Sequence, residues 1–390
     1  MLAKNQPVYI AGCGEYDEKR IKELLSRAFD TLSVEEEIRG KRVVIKPNLV
    51  RKMDPALGGT THPEMLKALC RLLFERGARS VLIAESPGGV YNPTTLGSIY
   101  GGCGVAAAAK QAGAELNYDC SYGTLSCEEG KKVRSFQIIS PVLQADTVIN
   151  LCKLKSHGMM TMSAAAKNLF GTIPGVMKFE MHARFPENGD FAEMLADLNG
   201  ALYGVKSVLS VCDGILGMEG NGPTSGIPRK MGVVLVSKNT FNLDLAAARI
   251  LGLKTLPPLL QCGVGRGWCP EDAGALCYPH KRPEDFLVED FLLPDSERKS
   301  TLQKVLTVKG GALARFFEPR PMIGKDCKGC LECVRSCPQK TVLVCTDKKG
   351  RKRARIDPKK CIKCYCCQEL CPFGCVKIVK NPLIALAGRL

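Results

Sequence analysis

Two short stretches near the carboxyl end constrain this chain more than anything else in it: CKGCLECVRSCP, starting at Cys327, and CIKCYCCQELCP, starting 34 residues later at Cys361. Each sets four cysteines in the spacing C-x2-C-x2-C-x3-C and follows them with proline, Pro338 or Pro372. Three thiolates from one tight loop suit three irons of a cubane, and the fourth, opening a short helix, crosses to the other cluster. The spacing therefore assigns Cys327, Cys330, Cys333 and Cys371 to one 4Fe-4S cluster, and Cys361, Cys364, Cys367 and Cys337 to a second. Zinc knuckles fit poorly, because they are built from two C-x2-C pairs without the C-x3-C-P ending. Cys345, Cys366 and Cys375 are extra; using Cys366 would break the two-residue spacing, so these three are expected to pack beside the clusters.

Two clusters in one small fold make a wire for single electrons, the arrangement of a bacterial two-cluster ferredoxin. More than 300 residues precede it in a chain of 390, enough for a second domain with a large core. No apolar run is long enough to cross a membrane. The start, MLAKNQPVYIAGCGEYDEKR, lacks the apolar core of a signal peptide. A cytoplasmic protein is the expectation, and in that compartment the other ten cysteines read as small core residues rather than disulfides.

The formal charge of +16 falls to about +12 once two clusters of about −2 each are bound. The excess is local: between Lys348 and Lys363 stand nine lysines and arginines against one aspartate. This stretch is either a solvated loop or a docking surface for an acidic electron carrier of ferredoxin or flavodoxin type, or for a partner redox enzyme, since complementary charge speeds encounter. Nucleic acid is disfavoured, because the stretch has no aromatic residue for base stacking.

Over the first 250 residues, β-rich runs alternate with amphipathic stretches: VYIAGC, KRVVIKPN, RSVLIAES, TVINLCKLKSH, KSVLSVCDG and MGVVLVSKN are each followed or preceded by a helical pattern. Such alternation, with near-continuous Val/Ile/Leu runs, predicts an α/β domain of three layers around a mainly parallel sheet, followed by a small α+β ferredoxin-like domain with two clusters. The expected boundaries are 1–318 for the first, with 255–318 irregular, and 319–380 for the second, leaving 381–390 as a tail. Glu318-Pro319-Arg320-Pro321 reads as the linker between them.

Open α/β sheets bind ligands beyond the carboxyl ends of their strands. Polar residues collect at those ends here: Lys46 and Asn48; Glu85 and Ser86; Lys153, Lys155 and His157; Asp213; Ser237 and Asn239. If the strand pitch persists, Lys153, Lys155 and His157 share a side, and converging cations with amide donors suit an anionic small-molecule substrate. Lys167 and Asn168 follow on a small-residue helix. GMEGNGPTSGIPRK, after Asp213, is neither a dinucleotide fingerprint nor a P-loop, and is read as a closing loop or a long turn. A flavin or other second cofactor is compatible with the crevice, but no motif demands one.

VVIKPNLV, TTHPE, NLCKLKSHGMMTMSAAAKNLFGTIPG and DGILGMEGNGPTSGIP, with Asp244 downstream, together resemble the family known as domain of unknown function 362, over about residues 5–255. The resemblance implies an iron–sulfur-binding protein and supports the α/β architecture and the candidate site, without naming a substrate. The expected function is an iron–sulfur oxidoreductase that passes electrons between the cluster module and an anionic substrate or second cofactor. In it Lys46, Asn48, Lys153, Lys155 and Lys167 bind or polarise the anion, His157 or a lysine delivers protons, and Asp213 orients them. The alternatives are a non-catalytic electron-transfer subunit docking a partner redox enzyme, or clusters that only staple the tail.

Overall fold

The computed structural model describes residues 2–297, 319–347 and 349–379. The strands are β1 (Tyr9–Gly12), β2 (Arg42–Lys46), β3 (Ser80–Ile83), β4 (Glu115–Leu116), β5 (Tyr122–Ser126), β6 (Ser135–Ile139) and β7 (Thr147–His157). After them come β8 (Thr161–Ser163), β9 (Ser207–Glu219), β10 (Ile227–Ser237), β11 (Arg320–Ile323), β12 (Val342–Thr346), β13 (Lys352–Ile356) and β14 (Val376–Val379). The helices of the first domain are α1 (Glu18–Thr31), α2 (Pro63–Glu75), α3 (Pro93–Gly102), α4 (Val105–Ala112) and α5 (Ser140–Gln144). Further along lie α6 (Ala165–Asn168), α7 (Met177–Arg184), α8 (Asn188–Val205), α9 (Thr240–Ile250) and α10 (Pro258–Gly265).

The central sheet runs β1-β10-β9-β7-β2-β3-β4, with β8 folded back on β7. From β9 to β4 every neighbour is parallel, while β10 and β1 extend the sheet antiparallel at one edge. Side chains alternate between two apolar layers, as the two-residue period of a strand requires. Val43, Ile45, Ile149, Leu151, Leu209 and Val211 face α1 to α4. Val44, Val148, Cys152, Val208 and Cys212 face the layer of α5, α6, α8, α9 and α10. The fold is therefore α/β in three layers, and all eleven residues of β7 are buried, as expected of a strand covered on both faces.

Local signals set the helix ends. Asp17 caps α1 by accepting from the Arg20 amide, and Pro63 opens α2 behind a His62 cap. Gly77 takes a left-handed φ of 80° just beyond α2. Eight of the ten scattered cysteines are buried; Cys120 is half-buried and Cys277 exposed.

Three expectations change. Arg320 and Pro321 do not form a linker: they begin β11, where Pro321 pairs with Ile378 in a two-stranded ribbon whose open edge tolerates proline. The irregular segment after 255 contains α10 and two single helical turns, and its residues 298–318 lie outside the described residues, as do 380 and the tail. The glycine-rich stretch spends half of its length inside β9 and β10, and residues 220–226 turn.

The connectivity locates the crevice. From β2 the chain proceeds to β3 and β4 on one side, and from β7 to β9 on the other. The sheet thus reverses its winding between β2 and β7, where open α/β sheets bind ligands. Lys46 and Asn48 lie at the end of β2, and Lys155 and His157 at the end of β7.

The small domain repeats itself. Besides two ribbons, β11 with β14 and β12 with β13, it has two single-turn helices, α11 (Glu332–Arg335) and α12 (Cys366–Glu369). Left-handed φ values fall at Gly329 and Lys363, at Leu331 and Tyr365, and at Lys340 and Gly374, each pair 34 residues apart. Non-glycine residues rarely adopt that conformation, so its recurrence in register with the cysteines marks two copies of one loop.

Candidate functional site

At the carboxyl edge between β2, β7 and β3 lies a cavity of about 90 Å³. The α/β domain supplies Lys46, Asn48, Glu85, Ser86, Lys155 and His157 from strand ends, and Lys167, Asn168, Lys178 and His182 from α6 and α7. The remaining wall comes from the small domain: Cys366, Glu369 and Leu370, in the loop of the second cysteine motif.

A hydrogen-bond chain fixes the floor. Lys46 Nζ donates to both Glu85 oxygens at 2.9 and 3.0 Å, and Glu85 also accepts from the Leu49 and Ser86 amides. Lys155 Nζ donates to Asn48 Oδ1 at 2.7 Å and to the Gly59 carbonyl at 2.6 Å; Asn48 Nδ2 donates to Asn168 Oδ1 at 2.8 Å. Lys178 donates to the Ser86 carbonyl at 2.7 Å and hydroxyl at 3.0 Å. A methyl group on Gly171 would come within 2.4 Å of the Lys46 side chain, so only glycine lets this backbone approach the buried pair.

His157 accepts at Nδ1 from the amides of Met159 (3.1 Å) and Met160 (3.3 Å). Its proton must therefore sit on Nε2. That atom stands 3.2 Å from Glu369 Oε1, yet the pair is misaligned for a hydrogen bond and Nε2 is left without one. His182 Nδ1 is also buried without a partner. Among the described residues no hydrogen bond or ion pair involves the Lys167 ammonium, which lies 5.8 Å from the centre of the Phe170 ring.

Burial governs the titration here. Together with the nearby Lys167 charge it pushes Lys155 down to about 7 and His157 down to about 4, while Glu369 opposes both shifts. Burial likewise lowers Lys178 to about 7 and His182 to about 3. For Glu369, burial works against ionisation, but His157 and Lys167 outweigh it and hold the carboxyl at about 2. With His157 neutral near pH 7, Lys167 is the cation that keeps Glu369 charged. The cavity thus presents neutral imidazoles as fixed hydrogen-bond groups and lysines poised between charge states.

Lys153 and Asp213 lie elsewhere. Along β7, Lys153 stands opposite Asp213 and Lys155 opposite Met218, because β9 carries extra residues between those two partners. Lys153 pairs with Asp213 at 2.7 Å, both fully buried. Tyr16 donates to Asp213 at 2.8 Å and accepts from Lys153 at 2.8 Å, with its ring stacked on His62. None of these four residues lines the cavity. Spacing at strand ends also missed Lys178, His182 and Glu369. The first two sit four apart on α7, and Glu369 lies inside a motif whose cysteines drew all the attention.

The small domain docks by polar contacts: Thr224 donates to the Glu369 carbonyl at 2.8 Å, and Gln368 to the Asn221 carbonyl at 2.9 Å. Both acceptor and donor in the first domain belong to the β9–β10 turn, so this turn holds the cluster loop in place. Gly88 lies so close to Leu370 that an added methyl would come within 2.9 Å of it.

The cysteines suit iron–sulfur clusters. Cys337, Cys361, Cys364 and Cys367 surround one space of about 20 Å³. Burial first, and then the thiols of Cys371, Cys327 and Cys330, push Cys333 up to about 11. Holding such crowded groups as thiolates requires a compensating cation, which iron supplies. The amides of Thr341 and Cys375 donate to Cys337 Sγ and Cys371 Sγ, each at 3.3 Å and again 34 residues apart. Among the described residues no three His, Cys, Asp or Glu side chains are placed to hold a single metal ion.

The model for the domain of unknown function 362 matches residues 43–249, more than half of the chain. The chain belongs to this family. A 4Fe-4S dicluster domain matches residues 326–375 and supports iron–sulfur electron transfer in this member. The chain is similar to a thylakoid-associated protein of Synechocystis sp., with 30% identity over 264 residues, covering 66% of this chain and 77% of that protein. Among solved structures it is similar to the lactate racemase apoprotein from Thermoanaerobacterium thermosaccharolyticum, at 16% identity and a TM-score of 0.34, covering 54% of this chain. That match spans 56% of the racemase. No helix among the described residues is long and apolar enough to cross a membrane.

Two predictions follow from the buried charges. Asp213→Ala leaves Lys153 buried and unpaired, and should cost about 3–5 kcal/mol in urea unfolding, whereas the double change Lys153→Met with Asp213→Leu should recover most of it. Lys155 and Lys178 sit at about 7 in the fold against 10.5 in the unfolded chain. At these two groups the unfolded chain binds more protons between these values, so stability should rise as pH climbs from about 7 to about 9, above which the buried thiols of Cys70, Cys262 and Cys269, raised to about 12, oppose the rise. Replacing either lysine with Met should remove roughly half of that rise, read from urea midpoints across the range.

Proposed function

We propose that the protein is an iron–sulfur oxidoreductase whose substrate, a small anion, binds in the cavity between the sheet edge and the cluster loop. The observation that carries this reading is the shared wall: Cys366, Glu369 and Leu370 of the cysteine motif face Lys155, His157 and Lys167 across one small space. Cys327, Cys330, Cys333 and Cys371 would hold one 4Fe-4S cluster, and Cys361, Cys364, Cys367 and Cys337 the other. When bound, these supply or accept single electrons next to the cavity.

The chain's own residues do the rest. Lys167, with no acceptor of its own, attracts the anion. Lys155 and Lys178, near neutrality in their titration, are suited to give or take a proton at physiological pH. His157 offers its Nε2 proton to a substrate oxygen as a neutral donor, its other nitrogen being fixed by two amides. Lys46 and Asn48 act from the floor, where Glu85 and Asn168 hold them. Lys153 and Asp213 serve the sheet rather than the anion. No side chain here calls for a flavin. The cytoplasm, where thiols stay reduced, suits the reading.

The basic hairpin favours a second role for the same chain, docking an acidic electron carrier. Lys349, Arg351, Lys352, Arg355, Lys359 and Lys360 are exposed on and beside β13, along with Leu343 and Val344 on β12. A basic surface with single exposed apolar side chains suits a transient, salt-sensitive complex.

The direct test is anaerobic. Protein reduced with dithionite should be reoxidised by a member of a panel of small oxidised carboxylates, followed by visible absorption. His157→Gln and Lys167→Met should each slow that step at least ~100-fold while iron and sulfide content stay at wild-type levels. Unchanged rates in both variants would sink the enzyme reading. Reversing charge at Arg351, Lys352 and Arg355 should slow reduction by an acidic ferredoxin about tenfold or more at low salt and erase its salt dependence. Reoxidation by the small carboxylates should be untouched by that change.

A further inference from the structure

Charges around the cavity do not balance. Four lysines line it, Lys46, Lys155, Lys167 and Lys178, against two carboxylates, Glu85 and Glu369. Glu85 is committed to Lys46 and to two backbone amides. Glu369 lies beside His157 and serves Lys167 only through space. Lys155 and Lys178 donate to neutral oxygens alone. None of the eight motif cysteines borders the space; Cys366, which does, is not one of them.

With all four lysines charged and both histidines neutral, the excess is two positive charges. Buried charge of that size is costly unless it is answered by a counter-ion or by loss of protons. Lys155 and Lys178, both near 7, are the groups that would give up protons in the empty cavity. The excess also has two ends. Lys167, Lys155 and His157 Nε2, the last 3.2 Å from Glu369 Oε1, gather on the β7 side, while Lys178 is tied to Ser86 and Pro87 beyond β3. The buried His182 Nδ1, without a hydrogen-bond partner among the described residues, points to an oxygen-bearing occupant rather than to an apolar one.

We infer that the cavity takes a small dicarboxylate, one carboxylate held by Lys167, Lys155 and His157 and the other by Lys178. A space of about 90 Å³ accommodates a chain of a few carbons between two such heads and excludes a nucleotide. This assignment rests on the reading of the cavity as the substrate site and sharpens it.

The test is calorimetric titration of the cluster-loaded protein, kept oxidised, with malonate, succinate, acetate, propionate and inorganic phosphate. Succinate or malonate should bind at least tenfold more tightly than the monocarboxylate of similar length. Lys178→Met and Lys167→Met should each remove at least tenfold of that affinity and most of the preference, and Lys167→Arg should keep it. Iron content and thermal midpoint verify that each variant is folded. Propionate binding as tightly as succinate, or phosphate binding more tightly than either dicarboxylate, overturns the dicarboxylate and leaves the redox reading standing. Binding of none of the five overturns both the assignment and the cavity as an anion site.

Discussion

The organisation of this protein depends on how four lysine ammonium groups are kept at a buried sheet edge. Taken out of water singly, each would shed its proton or unfold its surroundings. The fold answers each differently: Glu85 neutralises Lys46, neutral oxygens hold Lys155 and Lys178, and Lys167 faces the carboxylate of a second domain. That last arrangement makes the two domains electrically interdependent. Remove the cluster loop, and Lys167 loses its counter-charge; remove Lys167, and Glu369 loses the nearer of the cations that keep it ionised, leaving Lys155, which titrates at about 7.

This explains why the cluster module sits where it does. The winding of the sheet reverses between β2 and β7, which opens a crevice and brings backbone amides and strand-end side chains to its rim. Such a rim attracts an anion. In the first instance the anion is the protein's own Glu369, on a loop whose shape is imposed by the cysteines around it. The contacts from the β9–β10 turn to Gln368 and the Glu369 carbonyl then fix the loop to the sheet that supplies the lysines. Cluster module and cavity are thereby joined through one four-residue helix.

How much of this can be read from the residues alone differs by level. The cysteine spacing encodes its own geometry, because the two motifs and their left-handed positions repeat with one 34-residue offset. The three-layer sheet is legible in its Val/Ile/Leu runs for the same reason: a strand covered on both faces has no choice of composition. Strand-end reasoning finds Lys46, Asn48, Lys155 and His157, but it fails at Lys153. Lys153 meets Asp213 across the sheet, before the extra residues of β9, and periodicity within β7 carries no signal of what its neighbour places opposite. Lys178 and His182 are hidden differently. MKFEMHAR reads as an exposed helix, and only tertiary packing buries those two residues against Ser86, Phe170 and Phe191. Glu369 is hidden most completely, since nothing local distinguishes it from any solvated glutamate between two ligand cysteines.

The residues that escaped the sequence are the ones that join the two domains or close the cavity, and this has a physical cause. Each ligand loop and each strand is specified by neighbours close in the chain, so its pattern is local. The cavity exists only where two independently specified units meet, and its electrostatics belong to neither. His157 shows the consequence: two amides within three residues fix its tautomer, a purely local matter, but its neutrality near pH 7 follows from burial beneath the other domain and from Lys167. A side chain whose orientation is local and whose charge is set across an interface reports on docking as well as on chemistry. A change at Asn221 or Thr224, which tie the β9–β10 turn to the cluster loop and do not line the cavity, would therefore alter proton affinity within it.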